Sequence, residues 1–313
     1  MILYAYIIGI LSGAALPVQT SLNTRAGRRL GEPLLGALVS FIGGTALTSL
    51  ILLFLRQPLL APWGEVRGEP LWIWTGGALG LVLVILNMMI LPRLGSVETV
   101  IFSVLGQILT GLAVDNFGWF YSGQIRMTWI RALGALLVIV GTAMTAAEKG
   151  ASSEPFWKKS SASVWLCRLG GIASGAAGGL QVAVNGYLGA VVGSAFQATL
   201  FSTGNGLVIM VLICAVLSRI RPDWRAHPDR SIKNRWWLWT GGFCGVACVG
   251  ANVMLARVFG TGMAVVVTLI GQIGGGIVVD RIGFLGIEKK PVTVRKLAGF
   301  ALVIAGAVLI RLI

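Results

Sequence analysis

The sequence predicts an all-α fold: a polytopic membrane protein of ten transmembrane helices built as two inverted five-helix repeats. Three observations carry this reading. Of 313 residues, 56% are hydrophobic and only 12% charged, against about 25% charged in soluble domains. The apolar residues fall into long blocks, and a bilayer-crossing helix needs roughly 20 of them. The chain also repeats itself, with its basic loops changing sides between the two copies. Backbone in lipid must satisfy its own hydrogen bonds, which leaves helices or a closed barrel. Blocks without period-2 alternation exclude the barrel.

In the first half the blocks cover about 2–22, 33–55, 71–91, 97–117 and 128–146. In the second they cover about 165–188, 194–217, 236–257, 261–282 and 295–312. The opening block lacks a basic leader and has a counterpart near residue 170, so it reads as structural rather than as a signal peptide. The second block begins after Gly31-Glu32-Pro33, with the proline suited to a first helical turn. The third opens on "WIWTGG" at Trp72, and Gly95-Ser96 stops it and restarts the fourth. Tryptophans such as Trp119, Trp129, Trp165 and Trp236 stand near block ends, where aromatic belts sit. Glycines spaced by four, as in Gly76/Gly80 and Gly271/Gly275, let helices approach closely.

Self-comparison fixes the repeat. An offset of 162 pairs Gln19 with Gln181, Asn23 with Asn185, Gly31 with Gly193 and Ser40 with Ser202. Past a three-residue insertion the offset becomes 165. "WIWTGG" then meets "WLWTGG", and Asn87 pairs with Asn252, Gly95 with Gly260, Gln107 with Gln272, Asp115 with Asp280 and Gly118 with Gly283. The expected domains are 1–150, a polar linker 151–162, and 163–313. Five helices per half is odd, so the second half enters the membrane upside down. Loop charge agrees: the basic cluster Arg25, Arg28 and Arg29 has no basic counterpart after the sixth block. The longer basic run from Arg219 to Arg235 answers only Arg56 and Arg67. Of 25 Lys and Arg, all but Arg56, Arg67, Arg126, Arg131, Arg257 and Arg311 lie on one face. That face is predicted to be cytoplasmic, with both termini outside.

The net charge of +14 is thus a topological signal, and no soluble basic face exists for nucleic acid. Cys167, Cys214, Cys244 and Cys248 read as small packing residues rather than metal ligands; no metal or cofactor is expected. His227 lies in a charged loop. With one histidine and few acids near the helices, an enzyme lacks its acid, base and nucleophile.

Two five-helix halves, with "PVQTSLNTRAGRRLGEPLLGALVSFIGG" early and Gly-Gln followed by Asp-x-x-Gly in the fourth helix of each, resemble the drug/metabolite transporter superfamily. More narrowly they resemble its YdcZ-like branch, in which single and fused five-helix units both occur. The resemblance implies a ten-helix inner-membrane transporter and names no solute. The small multidrug relatives depend on a glutamate in their first helix; Ile2–Leu22 has no acid, so their proton/cation exchange does not carry over.

The polar residues inside the blocks are the candidate site. Gln107 and Gln272 fall near the bilayer midplane, where inverted-repeat transporters bind substrate. A carboxamide offers two donors and an acceptor without charge. The same glutamines could instead be interhelical glue, worth about 0.6–2 kcal/mol each. Gln19 and Asn23 share a helix face, as do Gln181 and Asn185; Asn87 and Asn252 sit near helix ends. All are candidates to line a path or to pack. Ser40 and Ser202 are weaker candidates, since a serine can bond its own helix. Asp115 and Asp280 stand at helix C-termini, an unfavourable place for an acid unless it is compensated. The partners in reach are Arg126 or Arg131 for the first, and Arg281, Arg295 or Lys296 for the second. The two acids read either as alternating gate latches or as fixed loop contacts. No ionisable residue occupies a block centre; Glu98, at the start of the fourth block, has no acid opposite it.

The expected function is transport of a small polar solute across the inner membrane by alternating access, more readily as export, with a membrane channel as the alternative. One chain supplies both orientations, so a monomer suffices, and nothing in the sequence decides between monomer and homodimer.

Overall fold

A computed structural model describes residues 2–60, 63–146, 162–220, 228–233, 235–283 and 293–311. The linker assigned to 151–162 lies outside the described residues apart from Ala162, as does His227. The described chain is helical throughout and contains no strand. Its α-helices are α1 (Ile2–Leu30), α2 (Pro33–Phe54), the single turn α3 (Trp63–Val66), α4 (Gly76–Phe117) and α5 (Trp129–Ala146). They continue with α6 (Ala162–Val191), α7 (Ala195–Ile220), α8 (Gly241–Ile282) and α9 (Val294–Arg311).

Most block boundaries hold within a turn, and the departures have local causes. α4 joins the third and fourth blocks and is two helices meeting at Gly95, whose φ of 80° a side chain would strain. The sequences "WIWTGG" and "WLWTGG" do not start α-helices. Each forms a 3-10 turn, Leu71–Trp74 and Trp236–Trp239, before α4 and α8 begin at Gly76 and Gly241. Those two glycines leave room for an asparagine: a Cβ on Gly76 would collide with the Asn185 carboxamide oxygen, and one on Gly241 with that of Asn23. α1 and α6 overrun their apolar blocks because their ends pack on protein. At the end of α1, the Arg28 carbonyl accepts the Asp229 N–H at 3.0 Å, and Arg29 donates to the Ile232 carbonyl. In that exposed loop the Ser231 hydroxyl and amide hold the Asp229 carboxyl below its usual range.

The helices associate by exchange between the two stretches. α1 packs along α8 as α6 packs along α4, and α2 pairs with α7 as α5 pairs with α9. Equivalent helices run antiparallel where they touch: Gly134 meets Gly306 while Gly141 meets Gly299, and Phe41 meets Gly206 while Gly44 meets Thr203. Close approach is set by glycine. An added Cβ on Gly106 would strike the Ile172 carbonyl, and one on Gly271 the Ile10 carbonyl. Small residues at such crossings permit the van der Waals packing on which helix association in lipid depends.

The exterior is apolar, unlike that of a soluble protein, and polar side chains are enclosed within the bundle. Leu50, Leu53 and Phe54 on α2 and Val208 and Leu212 on α7 are exposed, while Gln19, Gln107, Gln181 and Gln272 are buried. The main apolar cluster joins α4, α5, α8 and α9 through Ile101, Val104, Val138, Leu269 and Val303. A second joins α2, α4 and α7 through Ala37, Met88 and Met210. Among the described residues, four helices are long and apolar enough to cross a membrane by length and composition: Leu3–Leu30, Pro33–Phe54, Gly76–Phe117 and Ala195–Ile220.

Candidate functional site

Between these clusters lies a central cavity of about 70 Å³. Helices from both halves wall it: Gln19 from α1, Gln107 from α4, Gln181 from α6, and Gln272 with Asn252 from α8. Four glutamines and an asparagine expected from sequence therefore meet in one place. Gly80 and Gly245 make room for two of them, since a Cβ on either would hit the Gln181 or Gln19 carboxamide.

Two glutamines are oriented by serines. Gln19 Nε2 donates to Ser40 Oγ at 3.4 Å, and Gln181 Nε2 donates to Ser202 Oγ at 3.3 Å. These serines line the cavity and are the polar residues that sequence reasoning undervalued. Their signal was present: each is the repeat partner of the other, 21 residues after its glutamine. Cys248 also lines the cavity, and its thiol donates to the Ser12 carbonyl at 2.8 Å. Nothing marked it beforehand, because Leu83 stands at its repeat counterpart. Cys167 and Cys214 are buried in apolar clusters, as expected.

Three candidates lie outside this lining. Asn23 and Asn185, one turn beyond their glutamines, press on Gly241 and Gly76. Asn185 Nδ2 additionally donates to Ser202 Oγ at 3.1 Å. Asn87 lines a smaller neighbouring cavity together with Thr20, Ser96, Thr99, Ser103 and Gln272. Its oxygen accepts from Ser174 Oγ at 2.7 Å. Gln272 borders both spaces.

The buried acids have different partners. Arg131 Nη2 donates to Asp115 Oδ2 at 2.8 Å, with both side chains almost fully enclosed. Arg131 also donates through Nε to the Ile310 carbonyl and through Nη1 to the Ile125 carbonyl, at 3.1 and 2.7 Å. Asp280 instead crosses to the other half. Its two oxygens accept the Ser96 and Val97 N–H groups, each at 3.0 Å. Those amides open the second helix of α4 just past Gly95, so the carboxylate caps a helix start and meets its positive dipole end. The Gly that follows each Asp by three residues, Gly118 or Gly283, ends its helix in the left-handed conformation, at φ of 64° and 66°. Glu98 meets Arg168 at 3.7 Å, and that guanidinium lies over the Phe102 and Trp165 rings.

Chemically, the cavity wall offers carboxamides, hydroxyls and a thiol beside apolar surface, and among the described residues no charged side chain lines it. No cluster of three metal-ligating side chains exists among the described residues. Such a wall can hold a small uncharged polar group by hydrogen bonds.

Comparison with known proteins bears on the same halves. A solved structure titled "Crystal structure of protein" has a TM-score of 0.63 to this chain at 16% identity, covering 99% of it and 96% of the other; this is a likeness of fold. No curated protein matches the chain. The family model described as "Putative inner membrane exporter, YdcZ" matches residues 4–144 and again 166–309. Its two matches fall on the stretches that the 162- and 165-residue offsets superpose, and on that ground the chain belongs to the YdcZ family and is a membrane transporter.

Proposed function

We propose that the chain carries a small, uncharged or zwitterionic polar solute across the inner membrane by alternating access, with the central cavity as its binding site. The observation that carries this reading is the convergence of Gln19, Gln107, Gln181 and Gln272 on one space. Primary amides facing a common cavity from helices of both halves supply orientation and hydrogen bonds without the cost of a buried charge. Export is the direction that accords with the family's description.

The architecture supports the mechanism. α4 and α8 have 42 residues each, about 63 Å at 1.5 Å per residue. That is twice the roughly 30 Å of a hydrocarbon core. Each then supplies two crossings and the six other long helices one, giving ten spans in two domains, 1–150 and 163–313. Antiparallel contact of α2 with α7 and of α5 with α9 is what an inverted repeat requires. In such a pair, exchanging the conformations of the halves converts an outward-open carrier into an inward-open one. The excess of Lys and Arg on one set of loops supports an orientation with both termini outside.

The test is a thermal-shift screen of the purified protein against polar metabolites and cationic drugs, beside a Gln107→Ala/Gln272→Ala variant. A ligand at about 100 times its Kd adds about 2.7 kcal/mol of apparent stability. The parent should respond and a folded double variant should not; an equal response in both removes the glutamines from the site. Saturable flux with counter-exchange in proteoliposomes separates a carrier from a channel, whose conductance does not saturate.

A further inference from the structure

The repeat is symmetric in sequence, but its two asparagines are not in equivalent surroundings. On the first side, Ser174 Oγ donates to Asn87 Oδ1 at 2.7 Å, and Ser103 Oγ lies 3.4 Å from the same serine hydroxyl. Asn87 is 3% exposed and does not line the central cavity. Its repeat partner Asn252 does line that cavity, and its Oδ1 is buried with no hydrogen-bond partner. A buried carbonyl left unpaired in this way is destabilising until a donor reaches it.

The residue that would satisfy it is in place. Ser12 stands where the repeat puts Ser174, at an offset of 162. Here its hydroxyl donates to its own helix, to the Gly9 carbonyl at 2.9 Å. The Ser12 carbonyl accepts the Cys248 thiol at 2.8 Å. Cys248 is one turn before Asn252 on the same face of α8, so Ser12 already lies along the asparagine's helix. Turning one hydroxyl from Gly9 toward Asn252 gives up a bond to a carbonyl that already accepts within its own helix and gains one to a carbonyl that has no partner.

We infer that Asn87 and Asn252 are an exchange pair: the asparagine held by the opposite half's serine is withdrawn, and the free one presents its carboxamide to the solute. In the present state Ser174 holds Asn87, and Asn252 is presented. When access reverses, Ser12 takes Asn252 and Ser174 releases Asn87. The inference rests on the alternating-access reading and adds to it the contacts that tell the two states apart. It also makes Asn252 a specificity-determining residue of the present state: the solute that fills the cavity brings an N–H or O–H donor to Asn252 Oδ1.

The experiment uses the full chain in proteoliposomes, with all four native cysteines replaced and one reporter cysteine placed at either mouth of the bundle. Labelling from each side gives the ratio of the two states. Ser12→Ala removes the hold of the opposite state and should shift the ratio about fivefold toward the present one, the worth of one hydrogen bond. Ser174→Ala should shift it about fivefold the other way. The double variant should return near the parent ratio, which also controls for loss of packing. A parent whose two mouths label together overturns the carrier reading and this inference with it. A parent that alternates while both serine variants leave the ratio unmoved, or move it in one direction, overturns the exchange pair alone.

Discussion

At the scale of the residue, the buried Arg131–Asp115 pair shows how a charge is kept inside an apolar bundle. Removing two charges from water costs several kcal/mol per ion, which their attraction offsets only when the remaining polar atoms are also bonded. Arg131 meets that condition with Asp115 and the carbonyls of Ile125 and Ile310. Either single change, Asp115→Leu or Arg131→Met, leaves one charge enclosed and should cost about 3–5 kcal/mol. The double change should lie closer to the parent than either single. Denaturant unfolding of the four proteins in detergent measures this, and a double variant costing the sum of the singles would mean the two charges act independently. The arginine was one of two that the sequence offered, Arg126 and Arg131, because both lie within 16 residues of the acid. The amides that Asp280 caps were not legible in advance, since Ser96 is 184 residues away and its exposed N–H groups arise only from the break at Gly95.

At the scale of the element, glycine has two roles that spacing alone does not separate. Gly106 faces the backbone of α6 at Ile172, whereas Gly204, inside α7, has nothing within 4 Å of an added Cβ. Gly106→Ala must therefore push α4 from α6, and overpacking of this kind costs about 1–3 kcal/mol. Gly204→Ala only removes chain freedom and should be neutral or add about 0.5–1 kcal/mol. Paired melting curves check the contrast, and equal losses would refute backbone contact as the reason for Gly106. The same comparison explains how much of the fold the sequence disclosed. Apolar blocks and the Gly95-Ser96 restart are local signals, and they sit where expected; Gly118 and Gly283, read from sequence only as a repeat pair, prove to be left-handed helix caps. Which blocks pair, α1 with α8 and α6 with α4, is non-local. Only the repeat pointed to it, by requiring that whatever one half does the other does in exchange. Where the halves break that rule, as Asn87 and Asn252 do, identical residues carry no sign of it.

At the scale of the whole molecule, the distribution of charge bears on energy coupling. Among the described residues, the buried ionisable side chains Asp115, Arg131, Arg168, Asp280 and Lys296 all lie outside the wall of the central cavity. Asp115 is bonded to its arginine and Asp280 to two backbone amides. A site whose wall does not titrate between about pH 5 and 8 has no proton to exchange for the solute, so movement should follow the solute gradient alone. Counter-exchange of a non-titrating solute in proteoliposomes should then run at the same rate with and without an imposed pH gradient. Asp280→Asn should lower protein yield or melting temperature by loosening the start of the second α4 helix, without creating or removing a pH effect. If an imposed gradient instead drives uphill accumulation, and Asp280→Asn abolishes that while leaving downhill exchange intact, the capping carboxylate is the proton carrier. The break at Gly95 would then be the element through which protonation is felt: an acid that lets go of the Ser96 and Val97 amides frees the helix they begin.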